Sequence, residues 1–187
     1  MGSHGRGGFE RLLLGSTAEK VLRTAPCPVL VIPPAAERPD ETLFQRLLCG
    51  IDFSQPSLHA LRYALPLARS EGEVTLLHAI EVPPEVREMQ LIASFDVHAI
   101  HTATEKASLA RLEAISVDGM PPGCRISARV VEGRASRHIV RIAEETRADL
   151  IVIGHQGRTA IDRWLFGSNA YAVLRDAPCP VLIGPRV

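Results

Sequence analysis

Apolar residues along this chain fall into short unbroken runs separated by stripes at helical spacing. Ala148-Asp149-Leu150-Ile151-Val152-Ile153 is continuous enough to read as a strand buried on both faces. Arg46 to Asp52, Glu73 to Ala79 and Cys179 to Ile183 read the same way, as does the shorter Pro28 to Ile32 near the start. Cys124 to Val131 alternates instead, with Cys124, Ile126, Ala128 and Val130 facing one way and Arg125, Ser127 and Arg129 the other. That alternation predicts a half-exposed edge strand.

Between the strands the period changes. Leu58, Leu61, Leu65 and Ala68 mark a helix capped by Ser54, with Pro56 tolerated in its first turn and Pro66 kinking or ending it. Residues 81–99, opening on Pro83-Pro84, read as a long loop able to cover a pocket. An alanine-rich helix follows over 100–115, and Gly133 leads into another carrying Ile139, Ile142 and Ala143. Ser168 is the expected N-cap of a last helix with Ala170, Val173 and Leu174 on one face, and Ser16 that of an early one with Ala18, Val21 and Leu22.

From residue 46 onward, strands and helices alternate, which predicts an α/β fold with an open parallel sheet and helices on both faces. An edge third strand and central first and fourth strands imply five parallel strands in the Rossmann-like order 3-2-1-4-5. The topological switch point then lies between the first and fourth strands, at their carboxyl ends. Asp52 ends the first strand and Gly154 follows the fourth.

Gly154 opens the stretch Gly154-His155-Gln156-Gly157-Arg158, and nine residues separate Gly157 from Gly167-Ser168. Closely spaced glycines let backbone approach a ligand without a β-carbon in the way. A helix opening on Gly-Ser adds free N–H groups suited to phosphate. The spacing occurs twice: sliding 1–34 onto 153–186 makes eighteen pairs identical, including Gly2, Gly5, Gly15-Ser16 and Ala25-Pro26-Cys27-Pro28-Val29-Leu30. Internal repetition at that level means two copies of one structural unit. The first copy begins after the position of a strand and is too short to bury a core alone.

Both copies resemble the C-terminal part of a universal stress protein domain, whose ATP-binding members carry G-x2-G-x9-G-[S/T]. The resemblance covers 46–187 as a whole domain and 1–34 as a partial one, joined by a proline-stiffened linker over 35–45. It implies a nucleotide-dependent stress-response or signalling module. In it Gly154, Gly157, Gly167 and Ser168 hold phosphates, Arg158 pairs with them and Asn169 is a further donor. Ile51-Asp52-Phe53-Ser54 matches the family's acid-bearing segment, so Asp52 would contact the adenosine end of ATP; capping the next helix is its alternative role. Ala79 matches the position where backbone meets adenine. Mg²⁺ is expected beside the phosphates. The family's last strand commonly pairs across a two-fold axis, which implies a homodimer through 180–184 and the equivalent strand 28–32, within a chain or between chains.

Composition narrows the partners. Twenty-one basic residues balance twenty-one acidic ones, which argues against capture by nucleic acid or an anionic membrane. No apolar run approaches the ~20 residues of a membrane span, so a cytoplasmic protein is expected. Cys27, Cys49, Cys124 and Cys179 form no C-x-x-C pair and read as small core hydrophobes. His98 and His101 have a metal-ligand spacing without carboxylates placed to complete a set, and Trp164 with Phe166 reads as packing. No P-loop motif is present. A slow hydrolase using the same crevice would have Asp52 and His155 as its only candidate bases; a nucleotide-free dimeric scaffold is the remaining alternative.

Overall fold

A computed structural model describes residues 15–33, 36, 44–82, 97–157 and 167–185. Its helices are α1 (Ser16–Thr24), α2 (Gln55–Ala64), α3 (Val97–Glu113), α4 (Ala135–Thr146) and α5 (Ser168–Asp176). Its strands are β1 (Val29–Val31), β2 (Phe44–Gly50), β3 (Ala68–Ile80), β4 (Arg125–Glu132), β5 (Leu150–Ile153) and β6 (Val181–Ile183).

All six strands form one sheet in the order β1-β6-β5-β2-β3-β4. Strands β4-β3-β2-β5-β6 keep the expected order 3-2-1-4-5, and the correction is to number and direction: six strands in a mixed sheet where five parallel ones were expected. Pairings from β4 through β6 are parallel, but β1 joins the β6 edge antiparallel, so the sheet is mixed. The physical cause is the lateral edge of β6, a row of backbone groups that must find partners or water. Strand β1, expected against 180–184, meets that need within the chain.

The register of this pair is symmetric. Leu30 faces Leu182, its counterpart in the sequence repeat, while Val29 faces Ile183 and Val31 faces Val181. A half-turn about the Leu30–Leu182 position therefore exchanges the two strands, the mark of an isologous contact. Their helices start and stop alike. Gly15 caps α1 at φ −58°, ψ 143°, and Gly167 caps α5 at φ −60°, ψ 135°; Ala25 and Ala177 end them in nearly the same extended conformation. The expected caps Ser16 and Ser168 are instead the first helical residues, and neither helix has a side-chain cap. Glycine's backbone carbonyl starts each helix: Glu19 N–H donates to Gly15 O, and Tyr171 N–H to Gly167 O, each at 2.9 Å.

Two apolar layers sandwich the sheet. On one face α2 brings Ala60, Leu61 and Ala64, and α3 brings Leu112. On the other, α4 brings Ile139, Ile142 and Ala143, α5 brings Ala170, Val173 and Leu174, and α1 brings Leu22. Strand β5 is buried at every residue, as its unbroken apolar run demanded, and β4 lies at a sheet edge. Pro66 does not kink α2. The helix stops at Ala64 and a 3₁₀ turn over 65–67 carries the proline into β3.

Strands β2 and β5 are aligned by a carboxylate. Asp149 accepts from Gln45 N–H through Oδ2 and from Arg46 N–H through Oδ1, both at 2.8 Å. Its own N–H donates to Arg46 O at 3.0 Å. This clamp sets the register Leu47–Leu150, Leu48–Ile151 and Cys49–Val152. It thereby fixes which residues emerge together at the far end, where β2 and β5 leave the sheet.

Candidate functional site

Strand β2 leaves the sheet through Asp52, Phe53 and Ser54. Phe53 takes φ +63°, the left-handed conformation that costs a non-glycine residue about 1–2 kcal/mol. The bend lets Asp52 reach forward: its Oδ1 accepts from Ser54 N–H at 3.0 Å and Ser54 Oγ–H at 2.5 Å. Ser54 Oγ in turn accepts from Ser57 N–H at 3.4 Å, completing the cap of α2. Asp52 thus supports the cap indirectly, and its other oxygen, Oδ2, lies on the side of Gly157.

The three glycines of the motif do different jobs. None adopts positive φ, so conformational freedom is not why they are glycine. A β-carbon on Gly154 would fall 2.8 Å from Ser57 N and 2.9 Å from Pro56 C, inside the first turn of α2. That glycine lets β5 and a helix pack. On Gly157 the same atom would stand 2.9 Å from Asp52 Oδ2, so backbone here lies directly against the carboxylate. On Gly167 it would meet nothing closer than His155 O at 3.5 Å, an ordinary contact. Gly167 N–H also donates to His155 O at 3.3 Å, tying the start of α5 to the loop after β5.

The structure therefore brings Asp52, Gly154, Gly157 and Gly167 to one place, the switch point between β2 and β5. Ser168 is exposed and Asn169 half-buried in the first turn of α5. Ala79 lies at the end of the neighbouring strand β3, one residue after His78. Asn169 Nδ2 donates to Glu81 Oε1 at 3.2 Å, and the same oxygen accepts from Ala135 N–H at 2.7 Å. One carboxylate thus links the starts of α4 and α5. Arg158 lies outside the described residues, as do Trp164, Phe166 and the glycine loop of residues 1–14.

Sequence reasoning missed the floor beneath Asp52. His78 is 7% exposed and its Nδ1–H donates to Ile51 O at 2.7 Å, since a carbonyl can only accept. Its ring packs on Phe53 with centroids 4.6 Å apart, and the Arg111 guanidinium lies 3.8 Å over the other ring centroid. A histidine inside the apolar run from Val74 to Ala79 was the signal that a buried polar contact was needed. His155 is buried at 3% exposure.

The weaker sequence signals resolve differently. His101 Nδ1 sits 3.2 Å from Glu132 Oε2, and among the described residues no group of three His, Cys, Asp or Glu side chains could hold a metal. Cys49 and Cys179 are core residues whose thiols burial pushes up to about 12; Cys27 is exposed, against the core role expected of it. The loop expected over 81–99 lies outside the described residues from 83 to 96, and 97–99 belong to α3. No described helix is long and apolar enough to cross a membrane.

Comparison with known proteins fits this architecture. Universal stress protein Rv2005c of Mycobacterium tuberculosis is 32% identical over 184 residues, covering 98% of this chain and 60% of its own length. The solved structure of hypothetical protein MJ0577 superposes with a TM-score of 0.64 at 28% identity, over 78% of this chain and 98% of that one. A universal stress protein solved in complex with cAMP superposes at 0.51 with 27% identity, over 78% and 99%. The family profile described as Universal stress protein family matches residues 1–33 and again 43–185. With both segments matched and the sheet and helices in place, this chain belongs to the universal stress protein family.

Proposed function

We propose that the chain binds an adenine nucleotide, ATP foremost, at the crevice between the ends of β2 and β5, and that it acts as a nucleotide-dependent stress-response or signalling module. The observation that carries this reading is the convergence of Asp52 with Gly157 and Gly167. Gly167 has no steric reason within the described protein to be glycine. A phosphate approaching the backbone would supply that reason. Ser168 would donate to phosphate, Asn169 would do so with the amide hydrogen not given to Glu81, and Asp52 and Ala79 are assigned to the adenosine side by their place in the motif. A solved relative holding cAMP supports the adenine assignment. Arg158 is assigned to the phosphates by its place in the motif alone.

Mg²⁺ would arrive with the triphosphate, coordinated mainly by phosphate oxygens and water, as this ion prefers. Binding is proposed over turnover on the surroundings of the two candidate bases. Asp52 is held by Ser54 and His155 is buried.

Residues 1–34 are read as the C-terminal fragment of a second copy, on the repeat, the matched cap geometry and the symmetric register. In this reading β1 takes, within the chain, the place that a two-fold partner's last strand would take. Sedimentation velocity should then give a monomer; a dimer cross-linked through engineered cysteines in 180–184 would overturn this part.

The nucleotide site is tested by calorimetric titration of ATP·Mg²⁺, AMP and cAMP, with Gly157→Val beside the native chain. A valine there would press on Asp52 Oδ2. Saturable binding near one site per chain, lost in a variant that still unfolds cooperatively, is the expected result. An equal affinity in the variant would place the ligand elsewhere, and no binding of any of the three would end the nucleotide reading.

A further inference from the structure

A groove of about 820 Å³ runs along α5 on the helical face opposite the sheet, walled by α4 on one side and α1 on the other. It exists in this form only because β1 docks on β6 and carries α1 alongside. Five arginines line it: Arg23, Arg134, Arg137, Arg141 and Arg175. Set against Glu19, Glu144 and Asp176 in the same lining, they leave a local excess of two positive charges in a chain of zero net charge.

The excess is uneven along the groove. Arg23 pairs with Glu19 at 3.4 Å, Arg141 with Glu145 at 3.2 Å and Arg175 with Asp176 at 2.7 Å. Arg134 and Arg137 are exposed and form no ion pair among the described residues. Arg134 is the N-cap of α4 and Arg137 lies in its first turn, three residues on, so the two stand about 4.5 Å apart along the helix axis. Val140 and Ala172 give the floor between them an apolar strip.

We propose that this groove is a docking site for an acidic segment of a partner protein, with carboxylates set against Arg134 and Arg137. Charge complementarity selects the occupant. Arginine's planar fork suits carboxylates, and clusters of it are a recurring device for acidic motifs. The lower groove carries Glu19, Glu144 and Asp176, which would repel the continuous phosphate backbone of a nucleic acid but tolerate a peptide acidic at one end only. From Arg134 to Glu144 the wall is roughly 15 Å long, the span of about five extended residues, so a single small anion would leave most of it empty.

The test needs no nucleotide, and Ser168, which lines both the groove and the proposed nucleotide site, is left unchanged in every variant. A fluorescein-labelled six-residue peptide with its glutamates at one end, Glu-Glu-Gly-Ser-Gly-Ser, is titrated with the full chain, followed by anisotropy, with Gln-Gln-Gly-Ser-Gly-Ser as the neutral probe. The glutamate peptide should bind saturably and more weakly as salt rises. Arg134→Ser/Arg137→Ser should weaken it by about tenfold, the effect of losing two solvent-accessible charge contacts. Arg62→Ser/Arg129→Ser removes equal charge from other exposed positions and should change it less than about twofold. All substituted residues are exposed, and thermal melts verify that each variant folds. Equal binding of the two peptides, no saturable binding, or an equal loss in the control pair would overturn the proposal. Tighter binding of a single-stranded oligonucleotide, lost in the first pair, would overturn it in favour of nucleic acid.

Discussion

Replacing Gly154 by alanine should destabilise the fold, whereas the same change at Gly167 should not. The methyl added at 154 lands 2.8 Å from Ser57 N, 2.9 Å from Pro56 C and 3.1 Å from Ser57 Cα. Ordinary carbon contacts sit near 3.5–4.0 Å, so roughly half an ångström or more must be recovered by moving backbone. Helix α2 cannot yield easily, because Ala60, Leu61 and Ala64 lock it at 0–1% exposure. Overpacking of this kind costs about 1–3 kcal/mol, offset by about 0.4–1 kcal/mol from the stiffer unfolded chain. A net loss of about 1–2 kcal/mol follows. At Gly167 the nearest atoms are at 3.5, 3.7 and 3.9 Å and φ is −60°. Only the weaker capping preference of alanine opposes the entropy gain, leaving a change within ~0.5 kcal/mol. Urea denaturation reads both, with equal m-values required before midpoints are compared. In a thermal melt the Gly154 variant should fall by roughly 2–8 °C. If Gly154→Ala lies within ~0.5 kcal/mol of the native chain, or Gly167→Ala is the worse of the two, the division of labour among these glycines is wrong.

Four further outcomes are expected. Asp149→Ala strips the acceptor from two backbone N–H groups at the start of β2 and should cost about 2–4 kcal/mol, with amide exchange at Gln45 and Arg46 rising most. Arg147, exposed and left-handed at φ 51°, closes α4; Arg147→Gly should stabilise by about 0.5–1 kcal/mol in the same urea assay. Burial raises the thiols of Cys49 and Cys179 from 9.0 to about 12, so the folded chain keeps those protons longer than the unfolded one. The stability this contributes is full below pH ~9 and is lost as pH rises from there toward ~12, a slope that Cys49→Ala should flatten. In native protein at pH 8 a thiol reagent should label Cys27 readily and leave Cys49 and Cys179 untouched until unfolding.

The candidate site was legible only in part. The G-x2-G-x9-G-S spacing and the Ile51-Asp52-Phe53-Ser54 segment located the crevice, because strand ends in a parallel α/β sheet are set by where apolar runs stop. Spacing could not say why each residue is there. Gly154 is glycine for α2, a contact between segments some hundred residues apart, and Gly157 is glycine beside Asp52. The Arg111–Phe53–His78 stack likewise joins three elements, and the sequence marked only its histidine. Capping by Gly15 and Gly167 in place of their serines was a one-residue error at helix ends, where neighbouring polar residues compete for the same role.

By itself the sequence determined the type of most described elements from 44 onward, though Ala68, read on a helical stripe, opens β3, and 97–99, read as loop, belong to α3. Burial on both faces leaves a continuous apolar run, and burial on one leaves a stripe. It also pairs residues 16–31 with 168–183 by identity. The sixth strand was a different matter. An apolar run states that a segment will be buried, while backbone hydrogen bonds decide beside what and in which direction, and those groups are the same in every residue. The family resemblance had set 28–32 against 180–184, but only the assembled sheet decided that the pairing is antiparallel, within the chain and symmetric about Leu30 and Leu182. That pairing set α1 beside α5 and made the arginine groove.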